Sequence, residues 1–179
     1  MSKKVRVATC SLAGCFGCHM SFLDMDEAIL GLIQKIEFNR SPLTDIKTVH
    51  QCDIGLIEGG LCNEENIEVA KQFREQCKIL VAVGACAING GVPAMRNAFS
   101  KSDCLEEAYL NGLGVVNPQI PNDPDLPELL NRVVPVQNQV HIDYFLPGCP
   151  PPAEAFLELL NAVIEQREPK LDYTHRRFD

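Results

Sequence analysis

The two cysteines of the run Cys15-Phe16-Gly17-Cys18 are the first residues whose types and spacing could do chemistry. Two thiols three positions apart, with a glycine between them, can bend onto one metal centre. Taken alone, such a pair is compatible with a redox dithiol, half of a zinc site, or part of an iron–sulfur site. Whether further thiols reach this pair depends on the fold of the remaining chain.

The composition favours metal ligation over disulfides. The chain carries nine cysteines, and no secretory or twin-arginine leader precedes its first strand-like segment. We therefore expect a cytoplasmic protein, in which disulfides are rare and an odd number of thiols favours metal binding. A net charge of −8 argues against nucleic acid as a partner. No apolar run is long enough to span a bilayer, so we expect no membrane insertion.

Strand-like and helical segments alternate along most of the chain, a pattern that predicts an α/β fold with a flavodoxin-like, doubly wound parallel sheet. Several prolines between Pro118 and Pro127 predict an irregular, proline-rich insertion at residues 111–135. The predicted strands are residues 5–10, 46–49, 53–57, 78–83 and 141–146, and the predicted helices are residues 19–36, 63–77, 94–99 and a helix after residue 152.

Four cysteines follow predicted strands at the points where those strands end. Cys15 and Cys18 follow the first strand, Cys86 follows the strand 78–83, and Cys149 follows the last strand. In parallel α/β sheets, ligands bind outside the carboxyl ends of the strands. We therefore expect loops at these ends to bring four thiols, together with Glu58, to one edge of the sheet.

Four converging thiolates can bind zinc or hold a cubane iron–sulfur cluster. Structural zinc usually takes its ligands as two close pairs. Here only Cys15 and Cys18 form a close pair, whereas Cys86 and Cys149 are single and distant in sequence. Glycines near the thiols also let backbone N–H groups approach the sulfurs. The spacing therefore favours a cluster over zinc.

Three short motifs in this order carry a resemblance to a known family. Together they resemble the small subunit of nickel–iron hydrogenases, and they are similar to the cluster-bearing 20 kDa-type subunit of respiratory complex I. The complex I subunits have two adjacent cysteines in the first motif, so the separated pair favours the hydrogenases. The motifs are Cys15-x-x-Cys18, Gly84-x-Cys86-x-x-x-Gly90-Gly91 and Pro147-Gly148-Cys149-Pro150-Pro151.

The resemblance implies a function and a set of partners. It assigns Cys15, Cys18, Cys86 and Cys149 to one [4Fe–4S] cluster in a single cluster-binding domain, residues 1–179. In lacking a leader and a long C-terminal cluster region, the chain resembles the small subunits of the cytoplasmic, NAD(P)-reducing hydrogenases. These imply a nickel–iron large subunit and diaphorase subunits with FMN, further iron–sulfur clusters and NAD(P). The motif departs from many relatives at Pro152-Ala153-Glu154, which changes no ligand.

Two alternative functions remain open at this stage. One is a complex I-like quinone-reductase cluster subunit. The other is a flavodoxin-like FMN binder with a structural zinc, although the loop after the first strand lacks the Ser/Thr-rich phosphate cradle of flavodoxins. The second alternative implies that this chain itself binds FMN.

Two further side chains near the thiols have a functional and an ordinary interpretation. Glu58 is either a carboxylate near the cluster, able to move a proton or to ligate iron in an oxidised state, or a solvated or helix-capping residue. His19 could donate to a cluster sulfur, but an ordinary residue at a helix start is the simpler interpretation. We expect Cys10, Cys62 and Cys77 to pack in the interior, and we assign no role to the remaining cysteines.

Overall fold

A computed structural model describes residues 4–178 as an α/β protein. A five-stranded parallel sheet has the strand order β2-β1-β3-β5-β7, and β4 and β6 form a separate antiparallel pair. The parallel strands thus follow the flavodoxin order, which confirms the predicted fold class. The strands are β1 (Val5–Ser11), β2 (Ile36–Phe38), β3 (Cys52–Glu58), β4 (Leu61–Asn63), β5 (Cys77–Val83), β6 (Leu129–Val134) and β7 (Tyr144–Leu146), and the helices are α1 (Gly17–Leu23), α2 (Ala28–Leu32), α3 (Glu64–Gln76), α4 (Gly84–Asn89), α5 (Lys101–Tyr109) and α6 (Ala153–Ile164).

The register of the sheet aligns the ends of four strands. Ser11 pairs with Glu58, Glu58 pairs with Val83, and Val83 pairs with Leu146. These residues are the last of β1, β3, β5 and β7, so the four strands end in one row. Every loop that leaves this row begins at the same edge of the sheet.

The two faces of the sheet are covered by different helices. On one face, Phe22 of α1 and Phe156 of α6 pack against Ile54 and Val81. On the other face, Phe73 of α3 packs in a separate cluster of buried residues. Burial of both faces explains why β5, an interior strand of the sheet, is almost wholly apolar. Within residues 4–178, no helix has the length and apolar character needed to cross a membrane.

Asp143 holds the short edge strand β7 in place. Its Oδ2 accepts hydrogen bonds from Arg74 Nη1 at 2.6 Å and from the N–H of Leu80 at 2.7 Å. Burial would raise the pKa of this carboxyl, but the two hydrogen bonds and the Arg74 charge outweigh it and lower the pKa. The carboxylate therefore joins β5 and α3 to the segment that leads to Cys149.

The region after α1 differs from its prediction. The single helix predicted from residue 19 to about 36 is divided into α1 and α2, with Asp26 between them at a φ of 48°. Ile36 begins β2, and the predicted strand at residues 46–49 does not form. Ile36 satisfies the apolar period of a helix as well as that of a short buried strand, so periodicity could not separate the two.

The proline-rich region contains more regular structure than predicted. Residues 110–128 form neither helix nor strand, but α5 precedes them and β6 follows them. The prediction of an irregular segment through residue 135 is therefore wrong for Leu129–Val134, which pairs with β4. The pairing partner lies more than 60 residues earlier, and nothing in the local sequence indicates it.

Candidate metal centre

The four predicted ligand cysteines lie in segments that leave the row of strand ends. Cys15 lies in the loop after β1 and Cys18 in the first turn of α1. Cys86 lies in α4, which begins directly after β5, and Cys149 follows β7. Cys18 and Cys86 are half-buried, whereas Cys15 and Cys149 are exposed. Two of the four thiols are thus partly shielded from solvent, and two are open to it.

Hydrogen bonds tie the ligand loops to one another. The N–H of Ala85 donates to the carbonyl of Gly148 at 2.9 Å, which joins the loops of Cys86 and Cys149. The buried hydroxyl of Ser21 donates to the carbonyl of Pro151 at 2.6 Å, which joins α1 to the loop of Cys149. Sequence reasoning missed Ser21, because its partner lies 130 residues away and no local pattern connects them.

Backbone donors approach the sulfurs at two of the four positions. The N–H of Gly17 donates to Cys15 Sγ at 3.4 Å, and the backbone N–H of Val92 lowers the pKa of Cys86 against the effect of burial. Such contacts favour the thiolate over the thiol and stabilise the negative charge of bound sulfur. The glycine-rich loops therefore provide backbone N–H groups near the sulfurs in addition to the turns that they form.

Three glycines leave space that the thiols occupy. A Cβ at Gly84, whose φ is +79°, would collide with Cys18 Sγ. A Cβ at Gly91 would lie 2.8 Å from Cys86 Sγ, and one at Gly17 would lie 3.1 Å from Cys15 Sγ. Larger residues would push each sulfur out of position. The backbone is thus shaped around the thiols, as a bound thiolate-ligated group requires.

The electrostatics of the site disfavour free thiolates. Burial raises the pKa of Cys18, and the charges of Glu58 and of the other three thiols raise it further. Burial also raises the pKa of Cys86, with further contributions from Cys149, Cys15 and Glu58. Within residues 4–178, no cationic side chain offsets these charges on either thiol. A cation bound to the sulfurs would favour their thiolate forms.

The thiols are not closed around a single point in this structure. Zinc binds thiolates at about 2.3 Å, which brings its sulfur ligands within about 4 Å of each other. Among residues 4–178, no three Cys, His, Asp or Glu side chains converge closely enough to hold one ion. A cubane cluster takes one thiolate per iron, so it does not need several thiolates on one ion. The four thiols are therefore compatible with an iron–sulfur cluster.

Glu58 lies beside these thiols and is almost fully buried, with 3% of its surface exposed. Its carboxylate accepts hydrogen bonds from the N–H of Cys18 at 3.3 Å and from the N–H of His19 at 3.2 Å. It therefore stabilises the start of α1, where the helix dipole favours an anion. Glu58 is thus not solvated, and in this structure it acts as a cap that lies next to a ligand.

The buried ring of His19 uses both of its nitrogens within the protein. Nδ1 is paired with Glu58 Oε2, and Nε2 is hydrogen-bonded to Thr9 Oγ1 at 3.0 Å. Neither nitrogen is therefore available to a cluster sulfur, which rules out that interpretation here. Thr9 continues the chain of contacts to the hydroxyl of Ser41 at 2.8 Å. No sequence pattern indicated Thr9 or Ser41.

Most of the other cysteines pack in the interior. Cys10, Cys52 and Cys77 are buried in the cluster of apolar residues on the α3 face of the sheet, as predicted for Cys10 and Cys77. Burial raises the pKa of Cys77 to about 12, so it remains a neutral thiol. Cys62 is only half-buried and donates to Asn66 Oδ1 at 3.3 Å.

Taken together, the fold and this site define a class of flavodoxin-like α/β proteins whose cysteine loops meet at the carboxyl edge of the sheet. The model of one protein family matches residues 15–163. The chain belongs to this family, which is described as the NADH ubiquinone oxidoreductase, 20 Kd subunit.

The curated relatives are hydrogenase subunits. The chain is 48% identical to the delta subunit of the NAD-reducing hydrogenase HoxS of Cupriavidus necator, over 98% of this chain and 86% of the relative. It is 36% identical to a subunit of the F420-non-reducing hydrogenase of Methanothermobacter marburgensis, over 98% of this chain and 58% of that relative. The predicted kinship with hydrogenase small subunits and with the 20 kDa-type subunit is therefore confirmed.

Solved structures support the same kinship. A chain in the crystal structure of an NAD⁺-reducing [NiFe]-hydrogenase in the H₂-reduced state superposes with a TM-score of 0.97 at 51% identity, covering 99% of this chain and 100% of the other. A chain of the Ni-Fe-Se hydrogenase of Desulfomicrobium baculatum gives a TM-score of 0.61 at 18% identity, covering 97% and 69%. The second likeness shows a shared fold only.

Proposed function

We propose that this chain is the small, electron-transferring subunit of a nickel–iron hydrogenase that reduces NAD(P). One observation carries the proposal. In a chain 48% identical to the delta subunit of an NAD-reducing hydrogenase, four thiols follow strands that end in one row, and glycines pack against three of these sulfurs. The nine cysteines, all of them free thiols, suit a reducing compartment, and the cytoplasm is part of the proposal.

The residues of this chain would hold a cofactor rather than transform a substrate. Cys15, Cys18, Cys86 and Cys149 would ligate one [4Fe–4S] cluster, which when bound supplies transfer of one electron at a time. The N–H groups of Gly17 and Val92 would stabilise the sulfur charge. Glu58 would keep a negative charge beside Cys18 and disfavour uptake of an electron.

The chemistry of hydrogen and of NAD(P) would lie on other subunits. We propose a large subunit with the nickel–iron centre as the electron donor. Diaphorase subunits with FMN and further iron–sulfur clusters would accept the electrons and pass them to NAD(P). The relation to an NAD-reducing hydrogenase supports this assembly and favours it over a quinone reductase. No residue within the described part of the chain is assigned to either catalytic site.

Metal analysis and subunit composition test the proposal together. The chain, purified under argon from its native complex, should contain about four iron and four sulfide. A nickel-containing subunit should purify with it, and hydrogen should reduce NAD(P) in the presence of the complete complex. One zinc per chain, with no sulfide and no nickel-containing partner, would contradict the proposal.

Replacing Glu58 by glutamine separates its capping role from its charge. Glu58 receives the N–H of Cys18 on Oε1 and the N–H of His19 on Oε2, and glutamine keeps one of these two acceptor oxygens, so we expect the helix start and the iron content to be retained. Losing a negative charge beside the ligand should raise the midpoint potential by on the order of 50 mV. Redox titration followed by EPR spectroscopy measures this shift.

A matched control is Glu65→Gln, an exposed glutamate in the first turn of α3. It should leave the potential unchanged, because water and salt screen an exposed charge. If Glu58 also ligates iron in an oxidised state, the spectra of the oxidised protein should change in Glu58→Gln alone. Identical potentials and spectra in both variants would leave Glu58 with a capping role only.

A further inference from the structure

A short 3₁₀ helix, Val92–Ala98, presents its apolar side chains to solvent. Val92 is 69% exposed, Met95 is 71% exposed, and Phe99, directly after the helix, is 66% exposed. Surface helices normally turn such residues towards the core. None of the residues of this helix is buried. The usual arrangement of apolar and polar faces is therefore inverted here.

Polar side chains hold this helix on the protein. Asn97 makes two hydrogen bonds with the backbone of Val133, donating to its carbonyl and accepting from its N–H, both at 2.8 Å. Arg96 Nη2 donates to the carbonyl of Leu130 at 2.8 Å. The helix is thus fixed to β6 through its polar side chains. Its exposed apolar residues form a preorganised surface rather than a loose segment, and preorganisation lowers the entropic cost of binding.

The neighbouring helix α5 adds an acidic groove to this surface. The groove has a volume of about 530 Å³ and is lined by Phe99, Asp103, Cys104, Glu107 and Ala108. Asp103 and Glu107 are four positions apart and so lie on one side of the helix. Within residues 4–178, neither carboxylate takes part in an ion pair. The groove suits an Arg or Lys side chain whose stem lies on Phe99.

This surface also adjoins the thiol site. Val92 follows Gly91, and a Cβ at Gly91 would lie 2.8 Å from Cys86 Sγ, so the start of this helix is close to that thiol. A protein bound on Val92 and Met95 would therefore lie directly beside one proposed ligand. The position suits a partner that exchanges electrons with this site.

We propose that Val92, Met95 and Phe99, together with the groove of Asp103 and Glu107, dock a permanent partner subunit whose apolar surface is edged by Arg or Lys. The size and apolar character of the exposed side chains are typical of permanent interfaces rather than transient ones. Charge disfavours a second copy of this chain, because two chains of net charge −8 would bring two acidic grooves together. The identity of the partner as a hydrogenase subunit rests on the proposed function.

The first test is the double substitution Met95→Glu with Phe99→Glu in the complete complex. We expect the dissociation constant of one partner subunit to rise at least about tenfold, because central apolar side chains dominate binding energy. Native mass spectrometry of the purified complex identifies the subunit that is lost. The matched control is Leu30→Glu on α2, since Leu30 is 61% exposed but lies outside this surface. An equal loss in the control would overturn the proposal.

The second test changes only the charge of the groove. Asp103→Asn with Glu107→Gln should weaken binding of the same partner subunit at low salt. The difference in affinity between this variant and the unaltered complex should shrink at higher salt, because salt screens the charges. A complete complex of unchanged affinity in both double variants would overturn the proposal. The proposal would also be overturned if the variants only separated a dimer of this chain into monomers while every partner subunit stayed bound. Iron and sulfide contents, measured on the same samples, test the proposed function. Subunit composition tests the docking proposal, and its result does not depend on whether the chain holds a cluster.

Discussion

Replacing any one of Cys15, Cys18, Cys86 or Cys149 by alanine is expected to abolish the iron–sulfur content of the chain. Each sulfur would be the sole protein ligand of one iron of a cubane, and alanine offers no replacement donor. Iron and sulfide should fall from about four of each per chain to near zero. Hydrogen-dependent reduction of NAD(P) by the complex should fall with them, because the electron path would be interrupted.

Cys104→Ala is the matched control for these variants. Cys104 is half-buried like Cys18 and Cys86, but it lies on α5, away from the row of strand ends. Its iron and sulfide content should therefore equal that of the unaltered chain. Full iron and sulfide in all four ligand variants would contradict the assignment, and a loss in the Cys104 variant would show that the measurement reports general damage.

Replacing Gly84 by alanine is expected to remove the cluster while leaving every ligand in the sequence. The new Cβ would collide with Cys18 Sγ, and the φ of +79° would itself be strained by about 1–2 kcal/mol. The sulfur cannot stay in place beside this methyl group, so the iron and sulfide content should fall sharply. Absorption and EPR spectra of the anaerobically purified chain measure the loss.

Gly31→Ala provides the comparison for this substitution. A Cβ at Gly31, in α2, meets no atom within 4 Å, and alanine favours a helix over glycine by up to about 1 kcal/mol. Thermal unfolding should therefore show unchanged or slightly higher stability, with full iron content. A Gly84→Ala chain that keeps its spectra would show that the loop can move and that the close fit around Cys18 is not required.

The convergence of the four thiols could be predicted because it depends on few physical rules. Alternating strands and helices imply parallel strands, and parallel strands bring their carboxyl ends to one edge. Cys15, Cys86 and Cys149 each follow a strand whose apolar pattern is clear, so small errors in strand length did not matter. The structure has this arrangement in its row of strand ends, which consists of Ser11, Glu58, Val83 and Leu146. Only the structure could show the register that aligns these four residues.

The local elements were predicted less well where two patterns compete. The run from His19 to Ile36 satisfies a helical period, yet the chain breaks it between α1 and α2 and uses Ile36 in a parallel strand. Short edge strands such as β2 and β6 are stabilised by their neighbours rather than by their own residues. Pairing with distant strands therefore decided the secondary structure of these segments.

The sequence by itself determined the fold class and the kinship with hydrogenase small subunits, since these follow from periodicity and from motifs within short segments, and the same motifs predict the set of four thiols. Only the tertiary structure decided how the site is supported. Glu58 caps the helix that carries Cys18, both nitrogens of His19 are taken by Glu58 and Thr9, and Ser21 holds the loop of Cys149. Such contacts depend on side-chain directions between residues far apart in the chain, which local patterns cannot encode.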